Sequence, residues 1–89
     1  EMLKIMDLCQ HFETPVMPHS PYFGPGLLAT LHLAAVLQPE TMIEYSFADL
    51  GANPLGDCIL MRQGRIDIPS GPGLGCDPDL DILNEFRVP

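Results

Sequence analysis

The chain has 89 residues, enough for one small domain or a piece of a larger one. Apolar residues make up 46%, so it does not lack hydrophobic surface for folding. Twelve acidic against four basic residues, a formal net charge of −8, argue against partners bound through phosphates, whether nucleic acid or an anionic membrane.

Residues 1–12 place Met2, Ile5, Met6, Cys9 and Phe12 at the three-four spacing of one helical face. That helix is expected to stop before Pro15, which has no backbone donor and disfavours helix in the residue before it. Pro15 to Met17 reads as a short buried strand ending at Pro18 and His19. Ser20 to Gly26 is a loop by its proline and glycine content. Leu27 to Leu37 is apolar nearly all round, which predicts a helix buried on most of its surface and ended by Gln38, Pro39 and Glu40. It is too short and too interrupted, by Thr30 and His32, to span a bilayer. Thr41 to Ile43 is a second short strand, closed by Glu44. A loop follows from Phe47 to Asp57, then a hairpin signal in which Cys58–Met61 and Arg65–Ile68 flank a turn with Gly64. Ser70 to Gly75 reads as an irregular turn. Asp77 is expected to cap a short final helix running from Pro78 to about Phe86.

The order of elements is helix, strand, helix, strand, hairpin, short helix. Its first half follows the logic of a parallel sheet. Val16 and Met42, at the two strands, lie 26 residues apart, close to the repeat of an eight-fold β/α barrel. Two units cannot close a barrel and leave sheet edges open. The expected fold class is therefore α/β: the last two βα units of a (β/α)8 barrel over residues 1–50, with a tail over 51–89 that packs elsewhere.

His19 and Glu44 are the residues that carry chemistry in this frame. Each directly follows a short strand, and the carboxyl-terminal rim of a β/α barrel is where catalytic groups sit. Neighbouring strands lie about 4.8 Å apart, so the two side chains are within reach of one bound molecule. An imidazole gives or takes a proton near neutral pH. A carboxyl group facing a substrate carboxylate shares a proton with it and donates toward developing negative charge. Two plainer readings stand beside this: a histidine between prolines that caps a loop, and a solvated glutamate after a strand.

The remaining polar signals are weak. His32 fits a buried, hydrogen-bonded core histidine, and His11 a surface residue. The three histidines share no ligand spacing, so no metal site is expected within the chain. Ser20 adjoins His19 but lacks the partners of a triad. Gly71 to Gly75 lacks the residues of a phosphate loop, and the Asp77, Asp79, Asp81 alternation lacks the glycine and distal glutamate of a calcium loop. Cys9, Cys58 and Cys76 contain no CxxC pair and read as three small hydrophobes in a reducing cytoplasm.

Three segments resemble the C-terminal end of enolase-superfamily proteins: VMPHSPYFGPGLLATLHLAAVL (Val16 to Leu37), TMIEYSF (Thr41 to Phe47) and GRIDIPSGPGLGCDPDLDIL (Gly64 to Leu83). The likeness is nearest the mandelate racemase group and, within it, the acid-sugar dehydratases of the galactonate dehydratase kind. Ser70 stands where that pattern usually has Asp. The resemblance implies that His19 ends the seventh barrel strand, as the residue that abstracts a proton α to a carboxylate or protonates a leaving hydroxyl. It implies that Glu44 ends the eighth strand and hydrogen-bonds the substrate carboxylate. It further implies Mg²⁺, held by carboxylates outside this chain, and a hairpin and final helix that return to a capping domain.

On this resemblance the chain is expected to be part of a cytoplasmic, oligomeric enzyme that dehydrates a sugar acid and to be inactive alone. A racemase, epimerase or cycloisomerase on the same scaffold is the near alternative. From another class, a non-enzymatic association module is suggested by the apolar Leu27–Leu37 helix, which so short a chain covers poorly. Expected partners are a small carboxylate or sugar acid, and either the remainder of the barrel or a second copy.

Overall fold

A computed structural model of the chain describes residues 1–21, 23–37 and 41–89. Helix α1 spans Met2–His11 and α2 spans Pro25–Leu37. A single 3-10 turn covers Gly56–Ile59, strands β1 (Met61–Arg62) and β2 (Arg65–Ile66) form a hairpin, and α3 covers Leu80–Glu85.

Local chemistry accounts for most of these boundaries. Helix α1 ends before Pro15 in a double cap: Thr14 N–H donates to Cys9 O at 2.8 Å and Glu13 N–H to Gln10 O at 3.1 Å. That pattern needs a left-handed residue, and Glu13 supplies it at φ 51° where glycine is usual. Helix α2 opens on Gly24 at φ 74°, whose carbonyl accepts from Leu27 and Leu28, with Pro25 in the first turn where its missing N–H is not needed. Its expected stop at residues 38–40 lies outside the described residues. The hairpin turns on Gln63 and Gly64, at φ 51° and 74°, the paired positive values of a two-residue turn that matches strand twist. Met61 faces Ile66 and Arg62 faces Arg65 in its antiparallel register.

The core is small and one-sided. Leu27, Leu28 and Leu31 of α2 pack with Leu55 and Ile59, and Ile43, Ile66 and Cys76 lie against this cluster. Thr30 is buried on the same helix because its hydroxyl donates to Gly26 O at 3.0 Å, one turn back. His32 is half-buried, with Nε2 at 3.0 Å from Leu74 O, and so ties α2 to the glycine-rich turn as a packed, hydrogen-bonded histidine.

Several expectations are corrected. The strands at Pro15–Met17 and Thr41–Ile43 do not form a ladder; these segments are irregular, joined by a bond from Glu44 N–H to Pro18 O at 3.3 Å. Pro15 and Pro18 have no N–H to offer, and three-residue segments without neighbours on both sides cannot sustain a parallel sheet. The β1–β2 pairing is shorter than the hairpin signal, because Cys58 and Ile59 belong to the 3-10 turn. The cap of α3 is Asp79, not Asp77: its carboxylate accepts from Asp81 N–H at 2.9 Å and Ile82 N–H at 3.2 Å, so the helix starts at Leu80. The apolar stripe of α1 is largely uncovered, with Met6 buried but Ile5 and Phe12 exposed, since nothing among the described residues covers them. Cys58 and Cys76 are joined in a disulfide, with Cys9 free and half-buried, so only Cys9 behaves as the plain small hydrophobe expected of all three.

The radius of gyration is 14.5 Å. A compact domain of this length would have about 12 Å. An open groove of about 790 Å³ runs between α2, the Thr41–Tyr45 segment and the hairpin, with Met17, Leu31, Met42 and Ile66 among its walls.

Candidate active site

The segment before α2 alternates: Pro18 is buried, His19 exposed, Ser20 buried again. Extended backbone points successive side chains to opposite sides, so two buried anchors force the imidazole outward. On the neighbouring segment Ile43 packs against the core cluster and Glu44 follows it. The bond from Glu44 N–H to Pro18 O aligns the two segments. It brings together the two side chains singled out in the sequence: His19 Nδ1 meets Glu44 Oε2 as an ion-pairing contact.

Both groups open to solvent. The His19 side chain is 74% exposed and Glu44 43%, so a molecule approaching from outside reaches both. An imidazole can give or take a proton, and a carboxyl group accepts hydrogen bonds when ionised or donates one when protonated. The pair can thus hold one end of a carboxylate-bearing molecule and exchange a proton with an adjacent atom.

Ser20 is completely buried and its hydroxyl has no hydrogen-bond partner among the described residues, so it offers no accessible nucleophile. His11 is exposed at the end of α1, edge-on to Phe12 and remote in role from the pair. A small recess beside the site is lined by Phe23, Tyr45, Ser46 and Asp49, among others. Sequence reasoning did not single these out; the available signal was that Tyr45 and Ser46 directly follow Glu44 in the chain. Among the described residues no three His, Cys, Asp or Glu side chains converge to hold a metal ion. No helix of the described residues is long and apolar enough to cross a membrane.

The family model described as enolase C-terminal domain-like matches residues 1–82. The chain belongs to this family. Membership implies the α/β barrel part of the fold, and among the described residues the hairpin is the one sheet. A D-xylonate dehydratase of Haloferax volcanii is 31% identical over 90 residues, covering 99% of this chain and 22% of the relative. A D-galactarolactone cycloisomerase of Agrobacterium fabrum is 30% identical, covering 100% and 26%. An arabinonate dehydratase of Saccharolobus solfataricus is 28% identical, covering 98% and 24%. The chain therefore spans about a quarter of the length of these relatives. No solved structure matches it significantly. The resemblance to the enolase superfamily and its acid-sugar dehydratases, drawn from three segments, extends to nearly the whole chain.

Proposed function

We propose that this chain supplies the histidine–glutamate half of an enolase-superfamily active site, in an intact protein that removes the proton α to a carboxylate and dehydrates a sugar acid. The observation that carries the reading is the His19–Glu44 pair, with His19 turned outward between buried Pro18 and Ser20 and Glu44 following partly buried Ile43. Relatives named as two sugar-acid dehydratases and a lactone cycloisomerase support the reaction class. The cycloisomerase keeps an isomerase reading as the alternative.

In this reading Glu44 binds the substrate carboxylate, sharing a proton with one of its oxygens. The α-proton becomes removable only as negative charge on that carboxylate is stabilised, which the hydrogen bond from Glu44 does. His19 transfers the proton, either from the α-carbon or to a departing β-hydroxyl. Elimination requires that hydroxyl, and its absence from the substrate turns the same proton transfer into isomerisation.

Mg²⁺ is the cofactor proposed for the intact protein. The described residues do not fit a metal site of their own, so its ligands would come from outside this chain. The remainder of the barrel is the proposed partner of the open groove and of the uncovered α1 face, and residues 51–89 form the proposed return to a capping domain. We further propose a homo-oligomer in the cytoplasm.

The test assays the intact protein with Mg²⁺ against a panel of sugar acids, beside the His19→Asn and Glu44→Gln variants. Loss of a general acid–base group is worth about 10²–10⁴ in rate. Loss of a charge-stabilising donor is worth about 10²–10³. His19→Asn retaining full turnover and full solvent-deuterium exchange at the α-carbon would refute the assignment. The isolated chain is expected to be inactive, and turnover by the pure 89-mer with Mg²⁺ would overturn that part.

A further inference from the structure

Cys58 and Cys76 are 18 residues apart and bonded, and the bond joins two thinly held pieces of chain. Cys58 sits on the single 3-10 turn ahead of a hairpin with two residues per strand. Cys76 follows the glycine-rich turn. That turn is otherwise tied by the His32 contact to Leu74 O at 3.0 Å and, just beyond it, by Asp79 N–H donating to Pro54 O at 2.7 Å.

The two cysteines differ in surroundings. Cys58 is exposed, whereas Cys76 is half-buried against the cluster of Leu27, Leu28, Leu31, Leu55 and Ile59. Ile43, the residue before Glu44, rests on the same cluster. The disulfide therefore joins the packing on which Ile43, the residue before Glu44, also rests, and Cys58 is its more exposed half in this chain.

We propose that Cys58–Cys76 is a reversible redox clasp, opened by a small dithiol reductant at the exposed Cys58 sulfur, and that opening it loosens the seat of Glu44. Its meaning for catalysis rests on the role proposed for Glu44; the clasp itself does not. A reductant thiolate attacks Cys58 Sγ, and Cys76 leaves as a thiolate and takes up a proton. The second thiol of the reductant then displaces Cys58. The protein gains two electrons and two protons, and the reductant becomes its own disulfide. A cytosolic disulfide of this exposed kind is of the transient, redox-sensing type.

Cleavage before aspartate puts each cysteine on its own peptide: Cys9 on Asp7–Ala48, Cys58 on Asp57–Ile66 and Cys76 on Asp67–Cys76. The intact protein, purified without reductant and alkylated, should yield the second and third peptides covalently linked and the first alkylated. Dithiothreitol should release both. Reduction should also speed amide exchange at Glu44 and Asp79 by roughly tenfold or more, while α1 amides stay unchanged. The Cys58→Ser/Cys76→Ser double variant should match the reduced protein with or without dithiothreitol. Recovery of Cys58 and Cys76 peptides separately alkylated from unreduced protein overturns the clasp. Unchanged Glu44 exchange after verified reduction overturns its coupling to the site. Neither readout involves turnover, so either failure is distinct from failure of the proposed activity.

Discussion

Replacing Gly75 by alanine tests how the tail is held. Gly75 has φ +85°, and a Cβ there would lie 2.5 Å from Pro69 O and 2.7 Å from Pro69 C. Two costs follow. The left-handed backbone conformation costs an L-residue about 1–2 kcal/mol. The overlap is with backbone, not with the far end of a flexible side chain, so the turn itself must move; overpacking of this kind costs about 1–3 kcal/mol more. Gly73 is the internal control: its φ is +64°, and its Cβ would meet nothing within 4 Å. Gly73→Ala therefore carries the first cost alone. Exchange of the Asp79 amide, which bonds Pro54 O at 2.7 Å, reads local opening of this region. Gly75→Ala should destabilise it by about 2–5 kcal/mol and exceed Gly73→Ala by at least about 1 kcal/mol. Equal effects from the two substitutions would show that the close approach of Gly75 to Pro69 plays no part.

The capping assignment is tested by pairing Asp79→Ala with Asp77→Ala. The first removes the acceptor of the Asp81 and Ile82 amides and should cost α3 about 0.5–2 kcal/mol, read as faster exchange of those two amides. The second should leave them unchanged, and the reverse order would return the cap to Asp77. Leu28→Ala empties a site that is 1% exposed and should cost about 2–5 kcal/mol in urea unfolding of the intact protein. A loss under about 1 kcal/mol would mean that this cluster is not the core.

What was legible in the sequence was what neighbouring residues decide. The stop of α1 before Pro15 and the turn containing Gly64 follow from local backbone chemistry, whereas α2 opens at Pro25, two residues before the expected start at Leu27, because proline fits a first helical turn as well as a loop. The apolar α2 was legible as a helix, but the expected burial on most of its surface was not met: Leu27, Leu28 and Leu31 are buried while Ala35 and Val36 are exposed. That the His19 and Glu44 side chains come together was legible too, although not from the strands expected to carry them. Other partners distant in the chain were not. Spacing cannot tell that Cys58 and Cys76 meet, since their approach depends on how the hairpin and the glycine-rich turn fold back on α2. The alternation of Asp77, Asp79 and Asp81 put the expected cap at Asp77, whereas the structure uses Asp79, whose N–H is held by Pro54 O. The strands failed for a related reason: a parallel strand is defined by neighbours, and among the described residues the two segments share one backbone bond, from Glu44 N–H to Pro18 O.

That last point bears on what holds the candidate site. The His19–Glu44 contact is substantially exposed, at 74% and 43% of the two side chains. An exposed ion pair contributes roughly 0–1 kcal/mol and is screened by salt. Attraction between the two groups is thus too weak to set their positions against the motion of two irregular segments. Position comes instead from beneath: Pro18 and Ser20 are buried on either side of His19, and Ile43 rests on the core before Glu44. The fold holds the backbone and leaves the reactive atoms facing water, so removing either reactive side chain takes little from stability. A loss of turnover in His19→Asn or Glu44→Gln with an unchanged urea midpoint is then a loss of chemistry. Ile43→Ala should behave in the opposite way, leaving both reactive groups present while withdrawing the support of one of them.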